Sequence, residues 1–184
     1  AGYAALGLSV LAPEAVYSGD IGVKYVQARA LAQHRFTSLD IPYPAEHLDP
    51  ARAFFPIRPP FVMSVGDETH AIFSPVSAVV QAVAVGVADL RGLIALSVLA
   101  AAVVLFATVR LAPAGLEVPV LLTVGLAGPL WFYAVSGWEH ALAVACGTAA
   151  YACAMRASAW IAPVAAGLLG LALSPFPKRR SAGR

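Results

Sequence analysis

Two carboxylates stand out in a chain that otherwise avoids charge. Asp20, in "YSGDIGVKY", follows a short apolar opening, and Glu139, in "SGWEH", separates two long apolar runs. A charge at the centre of a membrane helix costs about 2.5–3.5 kcal/mol, so acids placed at the ends of apolar segments are candidates for function. If Asp20 and Glu139 face each other across a cleft, they could hold a divalent cation or divide the duties of general acid and general base. Lys24 and His140 neighbour them in sequence, and Arg91 precedes an apolar run, where it suits a headgroup anchor or a phosphate ligand. Each acid also has a plainer reading. Ser18 or Asp20 can cap the helix that follows, and Lys24, four residues on, can pair with Asp20 in solvent. Glu139 and His140 can sit at headgroup level beside the aromatic belt of Trp131, Phe132, Tyr133 and Trp138.

The elements that position these residues follow from composition. Of 184 residues, 60% are hydrophobic and 12% charged, with a mean hydropathy of +0.77; an ordinary soluble domain carries about 25% charged residues. The fold class implied is an all-α membrane protein, a multi-pass bundle of transmembrane helices whose partner is the lipid bilayer. The net charge is +2 and the basic residues are scattered except for Lys178, Arg179 and Arg180. No continuous basic stripe is available for nucleic acid, which excludes that partner. Cys146 and Cys153 lie seven apart in an apolar run. On one helix that spacing is about 10.5 Å, beyond the roughly 7 Å reach of a disulfide, so they are read as packing residues.

Four regions follow along the chain. Residues 1–16 are expected to be the end of a truncated first transmembrane helix, because the apolar opening is shorter than the roughly 17–25 residues a span needs. Residues 17–91 form an extracytoplasmic loop holding Pro42, Pro44, Pro50, Pro56, Pro59 and Pro60. Within it, "IGVKYVQARALAQH" predicts a short amphipathic helix with Lys24, Gln27 and Gln33 on its polar side and Tyr25, Ala28 and Leu31 on the apolar side. "DIPYPAEHLDP" is expected to run extended, and "FVMSVGDETHAIF" to make a small hairpin around Gly66, Asp67 and Glu68. Ser74 to Ala88 is open to two readings: from Pro75 it offers only about fourteen apolar residues, which favours the membrane interface and agrees with Arg110 and Arg156, whereas a span there would put "WEH" on the opposite face from Asp20. Residues 92–173 hold transmembrane helices over Gly92–Val109, Val118–Ser136, Trp138–Met155 and Ala157–Leu173, and 174–184 is a basic tail.

Arg110 and Arg156 mark one side as cytoplasmic by the positive-inside tendency, which leaves the Asp20 and Glu139 segments on the other side. His34, His47 and His70 lack the spacing of a zinc site and are expected on the loop surface, and Asp67 and Glu68 are expected to serve the turn. The chain has no P-loop, dinucleotide fingerprint, HExxH or internal repeat.

The order of features carries a resemblance. The short first apolar segment, then "SGDIGVKYVQARAL", a proline-rich loop, "HAIFSPVSAVVQAVAVGVADLRGLIALSVLAAAVVLFATVRL" and "LWFYAVSGWEHALAVACGTAAYA" together resemble the N-terminal part of the GT-C class of polytopic membrane glycosyltransferases, the group of the protein mannosyltransferases and the lipid A aminoarabinose transferases. The resemblance implies an enzyme of the bacterial plasma membrane that moves a sugar from a polyprenyl-phosphate donor to an extracytoplasmic acceptor. It assigns Asp20, just after the first helix, as the catalytic carboxylate and Glu139 as a second acidic position at the outer end of a later helix. Ser74-Pro75 looks like a weakened form of the family's motif before a juxtamembrane helix. Lys24, Arg91 and His140 would bind donor or acceptor, with Asp20 and Glu139 as ligands if a divalent metal takes part. The terminal "LALSPFPKRRSAGR" departs from the family's continuation into further membrane helices. The competing expectation is a non-catalytic membrane subunit, or a truncated remnant, that binds a partner through its external loop. A transporter is disfavoured, since no apolar run is interrupted at mid-membrane by ionisable residues.

Overall fold

The computed structural model describes residues 2–11, 15, 16, 18–155, 163, 164 and 167 of the chain. The expected helix over Ala157–Leu173, Arg156 and the basic tail lie outside or almost outside these residues. What is described is mostly helical. A first helix, α1 (Gly2–Ala5), continues as a π-helical turn over Leu6–Val10 and ends at Leu11, whose backbone is extended. Gly7 lets that turn approach the bundle: a Cβ there would stand 3.1 Å from Ile94 Cγ2 and 3.3 Å from the Val135 Cα.

Helix α2 (Gly19–Gln33) departs most from expectation. Sequence spacing gives it a wet face bearing Lys24 and Gln27, yet both are buried, at 3% and 1% exposure. The helix is not amphipathic because it is covered on two sides. Ile21, Ala28 and Leu31 pack against Ala78, Ala82 and Leu93, and Val23 packs with Ile41, Phe55 and Val62 of the loop and hairpin. With apolar contacts on both flanks, the polar side chains between them are carried inward too.

The expected hairpin is present: β1 (Val62–Val65) pairs antiparallel with β2 (Glu68–Ala71), Val65 opposite Glu68. Its turn is the two residues Gly66 and Asp67, with Gly66 at φ +66°, the left-handed value that tight hairpin turns require and glycine adopts without strain. Glu68 therefore belongs to the strand. His70 is a correction, since it is buried, with Nε2 2.6 Å from the Glu68 carboxylate. The loop before the hairpin is tied to it where the Ile41 N–H donates to the Thr69 carbonyl at 2.8 Å.

Helix α3 (Pro75–Leu111) joins the two segments that the sequence divides at residues 88–92. Pro75 suits its first turn, where no intrahelical N–H is needed. The helix is broken at Ala88 and Asp89, Asp89 standing at φ 52°, ψ −138°. At about 1.5 Å per residue the limb before the break is about 20 Å long and the limb from Leu90 about 33 Å, so only the second matches a bilayer's hydrocarbon core. The limbs meet at Gly92, where a Cβ would overlap the Ala84 carbonyl oxygen. On the first limb Ala78, Ala82 and Val85 face α2, while Val79, Val83 and Val87 are exposed on the opposite side.

The run expected to span from Val118 to Ser136 is not one straight helix. α4 (Glu117–Leu122), with a π-helical turn Thr123–Ala127, is bent by 56° from α5 (Leu130–Ser136). Pro129 explains the break, because it lacks the N–H that would bond to Gly125 and its ring crowds that carbonyl. α6 (Glu139–Met155) packs along the second limb of α3 through Ala141 and Ala145 against Ala100, Ala101 and Val104. Among the described residues, α3 alone is long and apolar enough to cross a membrane, or α3 and the bent α4–α5 pair if the pair is one broken span. Cys146 and Cys153 are free thiols, as their spacing predicts.

Candidate functional site

The site is assembled from the first two turns of α2 and the start of α6. Asp20, Lys24 and Gln27 stand at i, i+4 and i+7, so they share one face of α2. Asp20 is not the cap. Ser18 holds the N-cap position with extended backbone and makes no side-chain bond, and Asp20 lies in the first turn, where the helix dipole favours a negative charge. Its carboxylate has no hydrogen bond or ion pair among the described residues.

Lys24 does not pair with Asp20. Its ammonium lies 2.6 Å from Glu139 Oε1, with the two side chains 4% and 21% exposed. The ammonium also stands over two aromatic rings, 4.3 Å from the centroid of Phe73 and 4.9 Å from that of Trp138. A buried cation is therefore held on one side by a carboxylate and on two others by ring faces, the arrangement that lowers the cost of taking an ammonium out of water. The pair ties α2 to α6 across 115 residues of sequence, and Phe73 brings the end of the hairpin segment to the same point.

Glycine sets up the far side of this site. Gly137 is left-handed at φ +81° and ends α5, so the chain reverses into α6 within a few residues. A Cβ on Gly137 would be 3.3 Å from Leu93, and Ser97 Oγ donates to the Trp138 carbonyl at 3.3 Å, fixing the turn against α3. His140, nearly half exposed, has Nδ1 3.6 Å from Glu139 Oε1, and its ring lies 5.0 Å from those of both Tyr133 and Trp138. The expected aromatic belt is thus a contiguous ring cluster around the Glu139 turn.

Three buried polar atoms in this region have no hydrogen-bond partner among the described residues: Gln27 Nε2, Trp138 Nε1 and Glu139 Oε2. Two donors and one acceptor left open beside an ion pair make a polar centre able to bind hydroxyl groups or water. Sequence reading passed over Gln27 and Phe73. The signal for Gln27 was its seven-residue spacing from Asp20; nothing local marks Phe73 as a neighbour of Lys24.

Arg91 is exposed just beyond the α3 break, with no hydrogen bond or ion pair to this group. The break itself is held by Tyr25, whose hydroxyl donates to Asp89 Oδ1 and accepts from Arg29 Nη1 at 3.1 Å. Burial first, and then the bond to Asp89, raise the Tyr25 phenol above its ordinary pKa. His34 and His47 make no part of the site, and among the described residues no three His, Cys, Asp or Glu side chains group as a metal centre. No family model matches the chain, and neither a curated protein nor a solved structure is significantly similar to it.

Proposed function

We propose that the chain is part of a multi-pass membrane glycosyltransferase of the GT-C kind, transferring a sugar from a polyprenyl-phosphate donor to an acceptor hydroxyl on the extracytoplasmic face. The observation that carries this reading is the carboxylate of Asp20, without a partner among the described residues, one helical turn from a buried Lys24–Glu139 pair and on the same face of α2. Asp20 is the general base: its carboxylate takes the proton of the acceptor hydroxyl as that oxygen bonds to the sugar's anomeric carbon. The bond from that carbon to the donor phosphate breaks on the opposite side, inverting the centre and releasing polyprenyl phosphate.

Lys24 and Glu139 hold the site together instead of reacting. Lys24 is too enclosed to neutralise an incoming lipid phosphate, and its ammonium supplies the positive charge beside Glu139 Oε1. That donor set does not fit a resident divalent cation at Glu139, and no step is routed through one. Glu139 Oε2, Gln27 Nε2 and Trp138 Nε1, buried and without a hydrogen-bond partner among the described residues, could orient sugar hydroxyls only once the site opens to admit a sugar, whereas His140 already presents a half-exposed ring and imidazole beside them. Arg91, exposed at the base of the long limb of α3, is a cation open to an anionic headgroup. In this reading the limb from Leu90 spans the bilayer and the shorter limb lies along its surface with Val79, Val83 and Val87 toward lipid.

Replacing Asp20 with Asn in membranes bearing the protein, and assaying sugar transfer from a lipid-linked donor, tests the reading. Loss of a general base should lower turnover by about 10²–10⁴-fold. Undiminished transfer removes Asp20 from the mechanism.

A further inference from the structure

The face of α2 turned away from Asp20 carries a second candidate site. Arg29 follows Asp20 by nine residues, about two and a half turns, so the two side chains leave opposite sides of the helix. On Arg29's side, α2 and the loop do not close on each other. A cleft of about 400 Å³ remains between Tyr25, Arg29 and Gln33 on the helix and Ile41, Tyr43 and Phe55 on the loop. That is within the size range of small-molecule sites.

The cleft combines ring surfaces with one charged end. Tyr43 and Phe55 meet edge to face, their centroids 5.1 Å apart, and the Tyr43 hydroxyl is drawn away to Asp49 at 3.1 Å. The Tyr25 hydroxyl is held by Asp89, so two of the three rings are fixed by bonds at their polar tips. Arg29 spends one N–H on the Tyr25 oxygen and has no carboxylate within ion-pair distance among the described residues. The rest of its guanidinium fork is open, beside the exposed Gln33 amide in the next turn. A guanidinium whose nearby carboxylate, Asp89, is reached only through the Tyr25 hydroxyl, at the end of an aromatic cleft, selects a ligand with an apolar ring and an anionic oxygen group.

We infer that this cleft is a binding site for a small ring-bearing organic anion, an aryl or alicyclic phosphate or carboxylate, whose anionic group is held by Arg29 and Gln33 and whose ring lies among Tyr25, Tyr43 and Phe55. The site is separate from the Asp20 face and does not depend on the reaction proposed there.

Phenyl phosphate is the probe, titrated against the full chain in neutral detergent and followed by ligand-observed NMR. Saturable binding is expected, weakened about tenfold or more in Arg29→Gln. Gln33→Trp, which fills the mouth from an exposed position, should abolish it, whereas Asp20→Asn should bind as the parent protein does. Inorganic phosphate should compete at least about tenfold less well, because it cannot use the rings. Far-UV circular dichroism on each variant establishes that the helices are intact. No saturable binding to the parent chain, unchanged affinity in both Arg29→Gln and Gln33→Trp, or equal competition by inorganic phosphate overturns the inference. Loss of binding in Asp20→Asn overturns it as well, by placing the probe on the other face.

Discussion

Replacing Glu139 with Gln isolates the contact that joins α2 to α6. The substitution keeps shape and one acceptor oxygen but leaves the Lys24 ammonium, 4% exposed, without its counter-charge. Breaking a fully buried pair costs about 3–5 kcal/mol. The amide oxygen can still accept from the ammonium, and the rings of Phe73 and Trp138 still face it, each worth about 0.5–2 kcal/mol. The net loss should therefore be about 2–3 kcal/mol. Lys24→Met should cost less, about 1–2 kcal/mol, since the Glu139 side chain keeps 21% exposure and can turn toward water. With both replaced, no charge is stranded, and the double variant should be more stable than Glu139→Gln alone. The coupling expected is about 2 kcal/mol, far above the roughly 0.5 kcal/mol within which independent sites add. Thermal unfolding in detergent reads this out, with about 2–4 °C per kcal/mol for a chain of this length. If the two single effects simply add, the ammonium and the carboxylate do not share a buried site, and the helix face bearing Asp20 is not the one that meets α6.

The remaining predictions concern the backbone and the loop. Gly92→Ala should lower the unfolding midpoint by the equivalent of about 1–3 kcal/mol or more, because its Cβ would overlap the Ala84 carbonyl, whereas Gly86→Ala, whose Cβ would be 3.9 Å from Ala32, should be neutral or stabilising by about 0.4–1 kcal/mol. Equal effects would mean the limbs of α3 do not touch at Gly92. At Asp89, held at φ 52°, ψ −138°, the Gly variant should be more stable than the Ala variant by about 1 kcal/mol, the reverse of the order in a regular helix; both lose the Tyr25 bond, so the difference reports the backbone alone. Asp49 accepts from the backbone N–H of Phe54 at 2.8 Å and of Ala53 at 3.0 Å; the Phe54 bond foremost, against the opposing effect of burial, holds its carboxyl below the usual pKa. A lowered folded-state value means that stabilisation is present above the ordinary carboxylate pKa and lost as pH falls through the folded one. Protease cleavage of the loop should rise over that acid range, and Asp49→Asn should remove most of the pH dependence.

Local signals in the sequence predict the hairpin, the helix after Gly19 and the unpaired cysteines well, because each rests on neighbours within a few residues. The break before Leu130 was legible in Gly128-Pro129 but was outweighed by the apolar run around it. The α3 break was not legible. "GVADLRG" contains no proline, and the left-handed residue there is Asp89, stabilised by Tyr25 from 64 positions away.

The inward turn of Lys24 and Gln27 has the same origin and bears most on the site. Sequence spacing sorts a helix into wet and dry faces on the premise that only one side is covered, which fails for a helix packed between a bundle and a loop. Such a helix can bury polar residues only where partners reach them from elsewhere in the chain, and Glu139, Phe73 and Trp138 are those partners for Lys24. Gln27 Nε2 has no such partner among the described residues, although it lies one turn from the ion pair. A fold with no use for that amide would do better with leucine in its place, so Gln27→Leu distinguishes a structural from a binding role. If the amide serves only packing, the variant should gain stability with the proposed sugar transfer unchanged; if it orients a bound hydroxyl, stability should still rise but the KM for the proposed donor or acceptor should increase about tenfold. An unchanged KM would remove Gln27 from the site and leave the open Glu139 and Trp138 atoms to be satisfied by water.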